Sequence, residues 1–304
     1  MDAATLQSST SIRRLERYGM VSWPAWFSPE ESRVERHLGL RLHNVRGALV
    51  GVAAGADMPL FNRVLGIGHL LPATPDLLDL ILSLYRRARV SGFYVQVSPT
   101  AEPAEIGDWL KERGFHRALP WARLARGVEP VIGVHADVQI VEMGASRLPY
   151  ARFGRVVREA FAYPRETDRW FGMFVGRRGW HHYLAIDPKT GRTVGAAAFF
   201  RMGRWVSLEI AAVLPEARHR GIHSALIARQ IRDAAAEGCD LVTMETAVDT
   251  PDSRGQAFRN ARRLGFELAY FTANWEWRSQ WPGVRFIPRW LRPDFFGPRH
   301  ELRG

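Results

Sequence analysis

The sequence predicts a mixed α/β protein in which one structural plan is laid down twice. Three observations carry that expectation. An apolar run from Trp205 to Leu214 stops at Pro215; a cationic, glycine-containing turn and an amphipathic run follow it. A second strand-like run, Asp240 to Thr246, and another helical run then lead to the pair Gly265-Phe266. The first half of the chain shows the same order and closes on its own pair, Gly114-Phe115.

Each element has a local reason. Ala48–Ala53 and Phe61–Gly66 are apolar enough for buried strands. Thr74-Pro75-Asp76 reads as an N-cap followed by proline at the first helical position. Leu77, Leu78, Ile81, Leu84 and Tyr85 then share a helical face, and Gly92 is the expected stop. Phe93–Val97 is a strand, and Pro103–Arg113 a helix with Ile106, Trp109 and Leu110 inward. Trp121–Leu124 returns as a strand, and Gly127–Gly133, with Pro130, is the linker.

In the second half, His181-His182 lies on a strand, so the two rings point to opposite faces and one is expected to be buried. Residues 205–214 form a buried strand. Ile227, Ile231, Ala234 and Ala235 make one helical face, with Gly238 just past its end. Ser253-x-x-Gln256 has the spacing of a capping box for a helix that turns Ala257, Phe258, Ala261 and Leu264 inward. Glu267–Trp277 reads as one or two strands.

The chain has 304 residues, room for two domains at about 100–200 residues each. Its 46% hydrophobic and 24% charged residues suit a globular protein with a real core. The single cysteine, Cys239, excludes an internal disulfide framework and a cysteine-based metal cluster. The N-terminus lacks an apolar signal core, and no run approaches the ~18–20 apolar residues of a membrane span, so the expected location is cytoplasmic. The formal charge of +11 is almost entirely arginine. Nucleic acid is not the expected ligand, because no helix-turn-helix, zinc-finger or aromatic RNA-binding signature accompanies that charge. No metal is expected either. His219 and His223 have an H-x-x-x-H spacing, but Arg220 stands where a zincin has glutamate.

The turn after Pro215 reads Glu216-Ala-Arg218-His-Arg220-Gly221-Ile222-His223-Ser224. It combines exposed backbone N–H groups, the positive end of a helix and two arginines, a combination that holds a pyrophosphate. Gly221 omits the Cβ that would keep a phosphate away. In the first half the corresponding stretch, Leu71-Pro-Ala-Thr-Pro75, has two prolines without N–H groups and no arginine.

This turn resembles the signature of the GNAT N-acyltransferases, Arg/Gln-x-x-Gly-x-Gly/Ala. Arg218-x-x-Gly221 fits it, and His223 departs from its last position. Asn260-Ala-Arg-Arg-Leu-Gly265-Phe266 matches a second stretch that recurs in the family. The likeness covers roughly residues 136–277. It implies two GNAT-like domains in tandem, each a mostly antiparallel twisted sheet flanked by helices. Residues 1–130 would be a degenerate copy, 131–277 the CoA-binding catalytic domain and 278–304 an arginine- and aromatic-rich extension. From its composition that extension is expected to pack on its own domain or on the mate in a homodimer, the alternative being to dock an acidic partner or a membrane surface.

The resemblance further implies acetyl-CoA or another acyl-CoA as co-substrate and a small-molecule amine as acceptor. Arg218, Arg220, Gly221, Ile222, His223 and Ser224 would hold the pyrophosphate, and Asn260 the pantetheine arm. The backbone N–H of Val213 would meet the thioester oxygen. Glu209 is the candidate base: it is the one acidic residue in an apolar run, on a face expected to include Ser207, Ala211 and Val213. Its alternative role is an ion pair with Arg201 or Arg204. The family's usual acidic tyrosine is replaced by Ala261, with Tyr270 as a candidate substitute. Tyr163 is the expected acceptor contact. Two rival functions stay open: transfer from the pantetheine arm of an acidic carrier protein, and a non-catalytic acyl-CoA-binding module.

Overall fold

The computed structural model describes residues 3–27, 38–55, 58, 60–144, 150–248 and 255–279. The extension 278–304 is therefore described only at Arg278 and Ser279. Two helices the sequence did not announce open the chain, α1 (Ala3–Leu6) and α2 (Ser9–Ser22). The second is capped by Ser8, whose hydroxyl accepts from Ser11 N–H. A 3₁₀ turn, Trp23–Phe27, follows and buries Trp23, Trp26 and Phe27.

The first half continues with β1 (Leu40–Val45), β2 (Ala48–Ala53), β3 (Arg63–Leu65), α3 (Pro75–Ala88), β4 (Gly92–Val97), α4 (Ile106–Glu112), β5 (His116–Arg117) and β6 (Trp121–Arg126). The second half holds β7 (Gln139–Glu142), α5 (Tyr150–Phe161), α6 (Thr167–Gly172), β8 (Trp180–Ile186), β9 (Thr193–Met202) and β10 (Trp205–Val213). It ends with α7 (Ile222–Ala236), β11 (Leu241–Ala247), α8 (Gln256–Arg263) and β12 (Glu267–Arg278). Two boundaries differ from expectation. Arg89, in the left-handed region, ends α3, and Gly92 instead opens β4. Gly255, not Ser253, precedes the first turn of α8; Ser253 lies outside the described residues.

The repetition is visible in the pairing. In the first half β1–β2 and β2–β3 are antiparallel, and β3–β4 is parallel across the α3 crossover. In the second half β8–β9 and β9–β10 are antiparallel, and β10–β11 is parallel across α7. The final strands are exchanged. Strand β6, from the first half, pairs with β11, while β12, from the second half, pairs with β4. The two meet antiparallel at the centre of one sheet ordered β1-β2-β3-β4-β12-β6-β11-β10-β9-β8-β7. Residues 267–272 of β12 lie on β6 and 273–278 on β4, so its two ends serve different halves.

This exchange places charged groups at the seam. Glu245 of β11 receives Arg63 Nη1 at 3.0 Å and Arg123 Nη2 at 3.2 Å. Arg63 lies over the Trp23 ring at 3.9 Å. Burial alone would raise the Glu245 carboxyl, but Arg123 and Arg63 overcome that and hold it below its ordinary range. Two cations thus share one carboxylate between the halves.

Candidate active site

The site begins where β10 and β11 part. Their parallel pairing runs only from Trp205–Leu241 to Leu208–Met244. Beyond it β10 follows β9 alone, with a bulge between Leu208 and Ile210. The extra residue in that bulge is Glu209. A one-residue insertion reverses which face each later side chain takes. Ser207 therefore lies on the face of Ile210 and Ala212, while Leu208 lies on that of Ala211 and Val213. The expectation of a single face for Ser207, Glu209, Ala211 and Val213 fails for this reason: it assumed unbroken alternation.

Backbone polarity explains what the splay exposes. Leu214 N–H donates to Val194 O on β9 at 2.9 Å. Successive N–H groups of a strand point to opposite edges, so Val213 N–H points to the edge that β11 has left. Val213 itself is buried.

A cavity of about 330 Å³ opens in the gap. Ser207–Ala211 border one side and Met244–Ala247 the other, with His223, Ile227 and the start of α8 above. The rest of the wall comes from both halves: Trp23, Trp26, Phe61, Arg63, Trp121 and Arg123 from the first, Phe161, Tyr163 and Phe171 from the second. Tyr163 is thus on the cavity, stacked on Phe171 with centroids 5.7 Å apart.

Glu209 is half-buried within this wall. Its Oε2 accepts from the indole N–H of Trp26 at 3.0 Å. Its Oε1 is buried and has no hydrogen-bond partner among the described residues. The arginines named as alternative partners are elsewhere: Arg201 pairs with Glu237 and Arg204 with Asp240.

The turn is shaped by its glycine. Gly221 stands at the N-cap of α7 with φ +74°, which only glycine adopts without strain. A Cβ there would also lie 2.5 Å from the His135 carbonyl oxygen. The first intrahelical bond of α7 is Ala225 N–H to Gly221 O at 3.0 Å, so helix geometry leaves the N–H groups of Ile222, His223 and Ser224 without intrahelical acceptors. Arg218 Nη2 donates to Ala160 O at 3.0 Å, and Arg220 pairs with Asp187 at 2.9 Å, so both guanidiniums are anchored at the turn.

His223 faces the cavity. Its Nδ1 is 3.4 Å from Asn260 Nδ2, and Asn260 Oδ1 accepts from Gln256 at 2.7 Å. Burial lowers the His223 pKa to about 4, so the ring is neutral near pH 7. Asn260 is therefore part of a chain that fixes His223, a coupling the separate sequence readings did not contain.

Tyr270 does not reach this site. Its hydroxyl donates to Glu16 Oε1 at 2.5 Å, in the cluster of Leu6, Ile12 and Leu15 against α2. Burial, reinforced by Glu16, raises it well above an ordinary tyrosine, so it is no substitute for the acid missing at Ala261. Ala261 is itself fully buried. The paired histidines of β8 divide as alternation requires. His181 contacts Glu142 at 2.9 Å and Glu237 at 3.3 Å, whereas His182 is buried and its pKa is lowered to about 3.

The equivalent turn of the first half is filled by its own chain. Ala73 N–H donates to Glu102 O at 2.8 Å, and Glu102 N–H donates to Gly68 O at 2.9 Å.

Comparison with known proteins agrees with this geometry. Residues 150–266 match the acetyltransferase (GNAT) family model. A GCN5-related N-acetyltransferase from Sphaerobacter thermophilus superposes with a TM-score of 0.57 at 16% identity, covering 79% of this chain and 82% of that one. One from Kribbella flavida gives 0.55 at 17% identity, covering 83% and 92%. A tandem GNAT protein from the clavulanic acid biosynthesis pathway gives 0.50 at 18% identity, covering 67% and 69%. No curated protein matches the sequence significantly. No described helix is long and apolar enough to cross a membrane. The splayed strands, the duplicated pairing and these likenesses together show a tandem GNAT fold, within which residues 150–266 match the GNAT family model.

Proposed function

We propose that this protein is an acyl-CoA-dependent N-acyltransferase, using acetyl-CoA or another acyl-CoA, that acylates a small-molecule amine by direct attack. The observation that carries the proposal is Glu209 on the β10 bulge, with one oxygen held and one unpartnered, at the mouth of the splay beside the 218–224 turn. The functional division proposed is 131–277 for donor binding and chemistry, with residues 1–130 building acceptor wall.

The residues support the following steps. The N–H groups of Ile222, His223 and Ser224, with Arg218, Arg220 and Gly221, receive the pyrophosphate of the donor. Asn260, through the His223 contact, borders the pantetheine path. Glu209 Oε1 accepts a proton from the acceptor ammonium, and the free amine attacks the thioester carbon. Val213 N–H donates to the oxygen as charge builds on it. Collapse of the tetrahedral intermediate forms the amide and breaks the C–S bond. The nitrogen's second proton passes through water to the departing thiolate, since Ala261 offers none and Tyr270 is remote, and Glu209 returns its proton to solvent.

Thiol release from acetyl-CoA in the presence of amines tests the reading. Amine-dependent release supports it. Tight acetyl-CoA binding without release for any amine would favour the non-catalytic binding module, and release only from a pantetheinyl carrier protein would favour the carrier-linked version.

A further inference from the structure

Two cations from the first half border the cavity that holds Glu209: Arg63 of β3 and Arg123 of β6. Their side chains are only 9% and 7% exposed, and they share one carboxylate, Glu245. Each donates to it through a single amino nitrogen, Arg63 Nη1 and Arg123 Nη2. A guanidinium carries five N–H donors in a planar fork. The Nε atoms of both are buried without a partner, and the second amino nitrogen of each has none among the described residues. Buried donors left unmade are costly, so a surplus of this size calls for an acceptor. The faces of Arg63 are already taken: its Cζ lies 3.9 Å from the Trp23 ring centre and 5.0 Å from that of Trp121. Stacking fixes the plane and leaves the edge donors, the geometry that suits an oxyanion.

Charge decides what that oxyanion belongs to. Among the described residues the cavity is lined by two arginines and two glutamates, Glu209 and Glu245, while His223 is kept neutral by burial. Burial also raises the Glu16 carboxyl behind Arg123, which weakens it as a further anion. The lining is therefore balanced on its own. An acceptor ammonium against Glu209 adds one positive charge in a largely buried place. A carboxylate on the same molecule, received by the free edges of Arg63 and Arg123, restores the balance. An amine without one leaves a buried charge uncompensated.

We propose that Arg63 and Arg123 form a carboxylate-binding subsite, supplied by the first half, which receives the anionic end of the acceptor while Glu209 receives its ammonium. The proposal rests on the N-acyltransferase reading for the word acceptor; the subsite itself rests on the arginines. Neither arginine touches the reacting atoms. They set specificity, so the first half selects the molecule on which the second half acts.

The full chain should be titrated with propylamine, propionate, glycine, β-alanine and γ-aminobutyrate, with and without acetyl-CoA. Tryptophan fluorescence reports binding, because Arg63 lies on Trp23. At least one of the three aminocarboxylates should bind at least about tenfold more tightly than propylamine or propionate, each of which brings one charge alone. Arg63→Gln and Arg123→Gln each leave the other arginine and Glu245 as a balanced pair, so both should fold by circular dichroism. Either should weaken the preferred aminocarboxylate about tenfold while propylamine binding stays within about twofold. Arg63→Lys, which keeps the charge but loses the fork, should fall between. Absence of any aminocarboxylate response would overturn the proposal, as would propylamine binding as tightly as all three, or an unchanged preference in the arginine variants. Propionate binding as tightly as the best aminocarboxylate would overturn the placing of the carboxylate on the acceptor. Calorimetry with acetyl-CoA is read separately. Its failure would refute acyl transfer, while the titrations would still judge the arginines.

Discussion

Trp26 donates its indole N–H to Glu209 Oε2 at 3.0 Å across 183 positions of sequence. The contact joins the two halves at the point where β10 bulges. It orients one carboxylate oxygen and leaves the other buried without a hydrogen-bond partner among the described residues, so a residue of the first half positions the proposed base of the second.

If Glu209 takes the amine proton, Glu209→Gln lowers kcat/KM by roughly 10²–10⁴ while acetyl-CoA affinity is kept. Steady-state kinetics check this, and a variant with wild-type turnover would leave Glu209 a structural residue.

Gly221→Ala lowers the melting temperature even without ligand. At φ +74° and 2.5 Å from the His135 carbonyl, the added methyl is strained and crowded, at a cost of at least about 1 kcal/mol. Read from the sequence, Gly221 is needed only by the ligand. The backbone shows that the fold needs it too. Thermal melts of the two unliganded proteins decide the point, and equal melting temperatures would refute it.

Glu245→Gln leaves Arg63 and Arg123 buried without their shared counter-charge, and should cost about 3–5 kcal/mol. Because the folded Glu245 pKa is depressed, its stabilising contribution is present above the ordinary carboxylate range and is lost as pH falls through the folded value. Urea unfolding near pH 7 measures the loss. A change below about 1 kcal/mol would show that water compensates the arginines.

His182 makes the fold sensitive to acid by the opposite charge logic. Its folded pKa of about 3 is below the unfolded value near 6.5, so the unfolded chain takes up a proton first as pH falls. Its neutral form imposes no penalty above about pH 6.5; below that, stability falls by up to about 1.4 kcal/mol per pH unit. Unfolding of wild type and His182→Asn at pH 7 and pH 5 should show a smaller pH difference in the variant. Identical pH differences would exclude His182 as the cause.

Much of this architecture was legible because it depends on local signals. Proline at Pro75 and Pro215, glycine at Gly221 and Gly238, and apolar runs such as 48–53 and 205–214 mark elements wherever the chain later goes. The strand exchange was not legible. Trp121–Arg126 reads the same whether it pairs with its own half or the other, since pairing partners leave no trace in a strand's composition. The bulge at Glu209 was hidden for a related reason: alternation cannot reveal where one residue is inserted. The aromatic wall had a visible signal in Trp23-Pro-Ala-Trp26-Phe27, but only folding brings it to a carboxylate in the other half. Glu245 carried the same mark as Glu209, a lone acid in an apolar strand.

The exchange also governs how donor binding should be measured. A chain beginning at residue 131 would lack β6, which lies between β12 and β11. The full chain is therefore the proper subject. Calorimetric titration with acetyl-CoA, comparing wild type with Gly221→Val shown by circular dichroism to be folded, tests donor binding at the 218–224 turn most directly. One site per wild-type chain is expected, with a loss of at least about 1–3 kcal/mol in the variant, the scale of unsatisfied charged groups. No binding by the wild type, or equal affinity in the folded variant, would contradict it.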